Sequence, residues 1–503
     1  MRGIQTSITE IRHKVFKEIA KVAFEMEEND NINARIEEIP YKITPGEVPK
    51  YRESIYRERA IAQERVRLAM GMSLRPENAP VHVTSGLNAS NISDNYYEPP
   101  LMQVIPSACD MCIPNAYWVT NNCRGCVAHP CTQVCPRDAI HIVEGRSVID
   151  QDKCIKCGKC KAICPYDAIA RIIRPCAAAC GVNAIGSDEH GRAKIDNDKC
   201  VSCGQCMVSC PFGAISDKSQ IFQLIRAIKK GDEVVAELAP AAVGQFGDNV
   251  RMWKIKAALL EIGFKEVFEV ALGADIGAIT EAHHYVEKVK TGELPFLLTS
   301  CCPSWAELGR RTLKDLNDTV SNALTPMVAT ARTIKQRRPN SRVVFIGPCA
   351  SKKLEAMRTD VRSDVDFVIT FEELSAIFDA AGLDLQKFDK EEPLHDATAA
   401  GRGYGVAGGV AGAIEACINE YYPDVEVYIE HVEGLSECQK MLMLAKAGRK
   451  DGCMIEGMAC PGGCVAGAGT NIPIPKGAAA VKKFVKDSTK KLPDKHLEEI
   501  DLP

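Results

Sequence analysis

The sequence predicts an α+β N-terminal portion built from small cysteine-rich repeats, followed by a larger α/β portion of two lobes. Three observations carry this reading. Sixteen of the 24 cysteines fall between residues 109 and 210. The same stretch repeats a short segment after Cys-Pro, as CPRDAIHI, CPYDAIAR and CPFGAIS, with CGVNAIG as a degenerate copy. Beyond residue 220, apolar runs (VVAELAP, LPFLLTS, RVVFIGP, VDFVITF) alternate with helical stretches at 251–262, 277–291 and 324–338. That alternation is the mark of layered α/β folds.

Ahead of the repeats, Ile11, Val15, Ile19 and Val22 recur at helical spacing and predict an amphipathic helix over 8–28. A second, charged helix is expected over 50–71. Residues 74–107, rich in Pro, Asn and Ser, read as a loop or linker. The expected organisation is an N-terminal helical region and linker (1–105), a cluster-binding region (106–220), an α/β region (221–480) and a charged C-terminal tail (481–503).

At 46% hydrophobic and 25% charged residues, the 503-residue chain reads as folded globular protein. A net charge of −4 gives no footing for nucleic acid or an anionic membrane surface. There is no run of about 20 apolar residues to span a membrane. The first residues hold no signal-peptide core and no twin-arginine pair, so a cytoplasmic location is expected. In a reducing compartment, cysteines spaced in this way are metal ligands rather than disulfides.

The spacing itself is specific. Cys154, Cys157, Cys160 and Cys164 form C-x-x-C-x-x-C-x-x-x-C-P, and Cys200, Cys203, Cys206 and Cys210 repeat it. This is the bacterial ferredoxin run, in which three thiolates hold one 4Fe–4S cube and the fourth reaches the neighbouring cube. Zinc sites instead use paired C-x-x-C knuckles. Cys123, Cys126, Cys131 and Cys135 form the same run with two extra residues. Exchanging fourth ligands predicts one cube on Cys123, Cys126, Cys131 and Cys164, and another on Cys154, Cys157, Cys160 and Cys135. Cys180 completes the cube of Cys200, Cys203 and Cys206. Cys109, Cys112, Cys176 and Cys210 are then left for a fourth cube, with zinc or no metal at Cys109 and Cys112 as the alternative.

Three further motifs remain: TSCCPSW (299–305), GPCASKKLE (347–355) and EGMACPGGCVAG (456–467). Their cysteines lie far apart in sequence, after apolar strands or in Gly-rich turns. In this order they resemble the signatures of the FeFe hydrogenases, over about residues 109–480. The resemblance implies ferredoxin-like cluster domains followed by a two-lobed hydrogenase catalytic domain. It implies reversible reduction of two protons to H2 at a six-iron H-cluster. Cys302, Cys349, Cys460 and Cys464 would hold its 4Fe–4S cube. Cys464 would bridge to a two-iron unit carrying CO, cyanide and an azadithiolate. Dedicated maturation proteins and up to four accessory 4Fe–4S clusters are implied, with ferredoxin or a similar low-potential carrier as partner.

The resemblance also assigns roles around the metal. Cys301 passes protons. Glu281 and Ser321 match the next stations, and His284 stands where the family has an outer Glu; a plain surface histidine is the other reading of His284. Lys352 would donate to a cyanide, whereas its neighbour Lys353 is expected to be solvated. Met458 would pack by the bridging CO, and Pro240 would line the cage. Gly347, Met327, Ala241 and Pro461 depart from the family pattern, each removing a contact around the cluster, and point to a divergent, group B-like member.

Two rivals stand beside this reading. One is a hydrogen sensor, although no region reads as its usual PAS module. The other is a non-catalytic electron-transfer or cluster-assembly protein. GRGYGVAGG (401–409) lacks the dinucleotide-binding spacing; by resemblance it is a tight turn near the diiron site. Cys417, Cys438 and Cys453 are expected as small core residues.

Overall fold

The computed structural model describes residues 3–27, 31–87, 99–389, 393–394 and 396–497. Parts of the expected linker (88–98) and of the expected tail (498–503) lie outside these residues.

Two parallel sheets organise the C-terminal half. One has four strands in the order Glu266–Glu269, Val234–Leu238, Arg342–Gly347, Phe367–Thr370. The other has three, Leu297–Leu298, Met454–Met458 and Ile429–Glu433. Their central strands are buried along their whole length, as parallel strands covered on both faces must be. Four of the strands run at their C-terminal ends into Ala239-Pro240, Pro348-Cys349, Ser300-Cys301-Cys302 and Ala459-Cys460. Open parallel sheets bind ligands at that end. Here two sheets contribute to one such crevice.

The cysteine-rich region is built from four antiparallel ribbons, and two of them are nested. Met102–Val104 pairs with Ile215–Asp217, and within that bracket Asn115–Val119 pairs with Ile169–Ile173. Hairpins Ile140–Val143/Arg146–Ile149 and Ile185–Ser187/Ala193–Ile195 join the two halves of each unit. One two-cluster module (about 115–173) is therefore inserted into another, between Cys112 and Cys176.

Backbone geometry repeats through both modules. In the first C-x-x-C of each of the four runs the residue before the second cysteine is left-handed: Met111, Gly125, Lys156 and Ser202, at φ 50°, 56°, 59° and 52°. After each fourth-type cysteine, the amide of Ala139, Ala168, Ala184 or Ala214 donates to the sulfur of Cys135, Cys164, Cys180 or Cys210 at 3.2–3.4 Å. Cys131 and Cys176 each follow a proline that opens a short helix. Cys109, Cys112, Cys176 and Cys180 therefore form one ferredoxin-type run, split by the inserted module.

The N-terminal helix Ser7–Glu25 opens on a capping box between Thr6 and Thr9. Its buried face (Val15, Phe16, Ile19, Val22) packs on helices Ile221–Lys230 and Phe371–Ala380, within the core that covers the four-stranded sheet. The N-terminal region thus shares its core with the α/β body. A helix the sequence did not announce, Ile32–Ile43, lies between it and Ile55–Ala69. At the other end, helix Ile474–Lys486 runs across residue 480, with Val481 fully buried. No helix among the described residues is long and apolar enough to cross a membrane.

Lys353 corrects the expectation of a solvated side chain. It is 0% exposed, and its ammonium meets Asp217 at 2.7 Å, Glu373 at 2.8 Å and the Lys218 carbonyl at 2.9 Å. Arg12 joins the same network through Asp217 and Glu372. Burial pushes the Asp217 carboxyl up, and Lys353 and Arg12 outweigh it, so it titrates below its usual range. Removing one member strands buried charge. Lys353→Ala should cost about 3–5 kcal/mol in denaturant unfolding, and Lys353→Arg should not rescue it, because the site fits an ammonium. A loss under 1 kcal/mol would dismiss the network as a structural clamp.

Candidate metal centre

The strand ends converge on one largely apolar cavity. Cys302, Cys349, Cys460 and Cys464 all line it, as do Cys301, Lys352, Met458 and Pro240. Two close approaches lock the three motifs together. A β-carbon on Gly457 would meet the Trp305 ring at 2.0 Å, and one on Gly467 would meet the Pro348 carbonyl at 2.4 Å. Only glycine fits at either point.

The thiol electrostatics define what the cavity accepts. Burial, then Cys460 and Cys302, pushes Cys349 up to about 12. Cys464 is raised further by burial and by Cys349, Cys302 and Cys460. Thiols crowded so that Cys349 and Cys464 are raised by their neighbours resist ionising together unless metal cations compensate them. Among the described residues, no three His, Cys, Asp or Glu are grouped tightly enough to hold a single metal ion. Four sulfurs around one zinc would lie about 3.8 Å apart. The all-thiol donor set fits an iron–sulfur cube.

Lys352 is buried and donates to Glu355 at 2.7 Å. Burial alone would lower its pKa, but Glu355 outweighs it, so the ammonium is retained facing the cavity. Cys301 is pushed up by burial, with Glu281 the leading charged neighbour. Glu281 sits near the end of helix Ala271–His284; its Oε1 accepts from the Ser300 amide at 2.9 Å and the Ser300 hydroxyl at 3.2 Å. Burial raises its pKa to about 7, against the pull of Ser300 and Ser321. The structure thus gathers Cys301, Glu281 and Ser321. His284 is half-buried in the last turn of the same helix.

The departures resolve one by one. Met327 and Ala241 line the cavity. Gly347 makes room for Phe345, whose ring would lie 2.4 Å from a β-carbon there and itself lines the cavity. Pro461 corrects the expectation that each departure alters a cluster contact: it is exposed and is not among the cavity-lining residues. Cys417 and Cys438 are buried, while Cys453 is half-buried.

The accessory thiols assemble in sets. Cys123, Cys126, Cys131 and Cys164 line one small cavity. Cys131, Cys135, Cys154, Cys160 and Cys164 belong to one apolar cluster, and Cys157 is exposed beside it. Cys180 is among the charged neighbours of Cys200, Cys203 and Cys206. Cys109 and Cys210 both bear on Cys112 and on Cys176. Cys203 also lines the large cavity, and the Gln205 amide reaches the Cys460 sulfur at 3.3 Å. Two groups went unremarked in the sequence. Glu456 opens the third motif and accepts from the amides of Gly408 and Ala411. Tyr404, inside GRGYGVAGG, lines the cavity.

Residues 232–468 match the family description "Iron only hydrogenase large subunit, C-terminal domain", and residues 147–170 and 193–216 match "4Fe-4S binding domain". The chain is 30% identical over 385 residues to the periplasmic Fe hydrogenase large subunit of Nitratidesulfovibrio vulgaris, covering 66% of this chain and 87% of that one. The chain belongs to the FeFe hydrogenase family. Ferredoxin-like cluster units precede a hydrogenase catalytic domain, and iron–sulfur cofactors follow from both matches. This FeFe hydrogenase homologue is also 29% identical over 385 residues to the NADP-reducing hydrogenase subunit HndD of Solidesulfovibrio fructosivorans, covering 64% of this chain but only 63% of that protein's length. A shorter likeness, 31% over 126 residues, covers 25% of the chain and 28% of the cytosolic Fe-S cluster assembly factor NAR1 of Eremothecium gossypii.

Proposed function

We propose that the chain catalyses 2 H+ + 2 e− ⇌ H2 at a six-iron H-cluster held by Cys302, Cys349, Cys460 and Cys464. One observation carries the reading: four cysteine thiols brought together by two sheets share a cavity whose wall also holds the Cys301 thiol, with the buried Glu281 carboxyl as that thiol's leading charged neighbour. When bound, the cluster supplies the redox-active metal; its CO, cyanide and azadithiolate call for maturation proteins. The chain's own residues do the rest. Lys352, held by Glu355, offers positive charge to an anionic ligand. Met458 and Pro240 keep water from the cavity. Cys301 exchanges protons at the cavity wall, and Glu281, half-ionised near neutral pH, can accept or release them. Ser321 continues the path, with His284 as a candidate outer station.

The accessory sets lead from the surface to this cavity, and 4Fe–4S clusters in all four would carry electrons along them. Lys153, Lys156, Lys159 and Lys161 are exposed around exposed Cys157. This local positive charge, on a chain of net −4, suits an acidic ferredoxin or similar carrier. Reversing all four lysines to glutamate should slow the bimolecular reaction with such a ferredoxin roughly tenfold or more and flatten its dependence on ionic strength. An unaltered salt dependence would remove this patch as the docking site.

The likeness to NAR1 keeps one rival, a cluster-assembly protein without turnover. Infrared spectra after maturation separate the two. Bands of metal-bound CO and cyanide support the hydrogenase, and their absence beside intact iron–sulfur signals supports the rival.

A further inference from the structure

Tyr404 stands in the wall of the metal-binding cavity, just after the short helix Ala399–Gly403. Its hydroxyl is buried and has no hydrogen-bond partner among the described residues. Native proteins rarely leave such a group unpaired. Oε2 of Glu281 is also buried and unpartnered, while Oε1 takes both Ser300 donors.

The two side chains are neighbours. A β-carbon on Gly277, one turn before Glu281 on the same helix face, would lie 3.9 Å from the Tyr404 oxygen. The charged groups bearing on the phenol are Glu281, Cys301, Cys417 and Asp275, with Glu281 foremost. The other carboxylates nearby are already engaged. Asp275 accepts from Thr398 and Gly401, and Glu456, which bears on Glu281, accepts from Gly408 and Ala411. Among the carboxylates bearing on the phenol, Glu281 Oε2 is the acceptor left.

We propose that Tyr404 donates a hydrogen bond to Oε2 of Glu281, directly or through one water, and so positions the carboxyl that exchanges protons with Cys301. The relay role rests on the hydrogenase reading; the hydrogen bond does not. With Ser300 and Ser321 on one side and the phenol on the other, the carboxylate is held by donors on both flanks. The phenol favours the ionised form, against burial and the charges of Glu456 and Cys301.

The test is infrared titration of the Glu281 carboxyl in the holoprotein, its band assigned by its loss in Glu281→Gln. In Tyr404→Phe, which keeps the ring, the midpoint should rise by about one pH unit, and the pH profile of hydrogen evolution should move with it. Tyr404→3-fluorotyrosine, a stronger donor, should move the midpoint down, and it serves as well if the phenylalanine variant does not fold. A midpoint unmoved in the folded variants overturns the proposal. The band reads out without turnover, so a wild-type chain that evolves no hydrogen counts against the hydrogenase reading alone.

Discussion

Cys301→Ala should cut hydrogen turnover by about 10²–10⁴-fold, the contribution of a positioned proton-transfer group, while iron content stays at the wild-type level. The reasoning is local. Cys301 and Cys302 are adjacent, yet the structure separates what surrounds them. Burial pushes Cys302 up as well, but the amides of Ala459, Trp305 and Ser304 and the Lys352 charge work against that rise, in the direction of a thiolate ligand. Cys301 instead faces Glu281 and Glu456, which hold its proton on. On the proposed reading one thiol binds metal and the other carries a proton. Loss of cluster iron in Cys301→Ala would reverse that assignment. Cys301→Ser should recover only part of the rate, because a hydroxyl gives up its proton far less readily.

Glu281 should set the pH dependence of both directions of the reaction. With its pKa raised to about 7 by burial, it is a carboxylic acid below that pH and a carboxylate above. Hydrogen evolution needs the acid to hand protons inward, so its rate should fall as pH rises through about 7. Hydrogen uptake needs the carboxylate, so its rate should rise over the same range. Glu281→Gln should remove both limbs and cost about 10²–10⁴-fold. The same shift has a stability consequence of opposite sign. The unfolded chain ionises this group near 4.5, and the folded chain near 7. Ionisation therefore penalises the fold progressively between those values and fully above pH 7, by up to ~3 kcal/mol. Glu281→Gln should be the more stable protein at pH 8 and lose that advantage below pH 4.5. Protein-film electrochemistry and denaturant unfolding across pH read the two effects separately.

The sequence made the cluster region legible because ligand spacing is a local constraint: a cube held by C-x-x-C-x-x-C leaves its period in the chain whatever surrounds it. The catalytic motifs were legible for a related reason, since cysteines and glycines there are fixed by strand ends and close backbone approach. What escaped was set by distance along the chain. The run Cys109, Cys112, Cys176, Cys180 is split by a whole inserted module, so no window contains it. The pattern of helix Ser7–Glu25 announced a buried face but not that the face docks on helices more than 200 residues away. Lys352 and Lys353 differ by about 100° around a helix, which sends one to the cavity and the other into a buried ion network; identity alone cannot rank them. Tyr404 was passed over because a glycine-rich turn draws attention to its backbone, and only the fold aims the phenol into the cavity.

The central claim is that Cys302, Cys349, Cys460 and Cys464 together hold a hydrogen-converting six-iron centre. Its most direct test is hydrogen evolution from reduced viologen by the matured chain, with iron and infrared spectra measured on the same sample. The account predicts turnover, bands from metal-bound CO and cyanide, and about 22 irons per chain, from four accessory cubes and the catalytic centre. A matured chain with its accessory iron in place, no such bands and no hydrogen would contradict it.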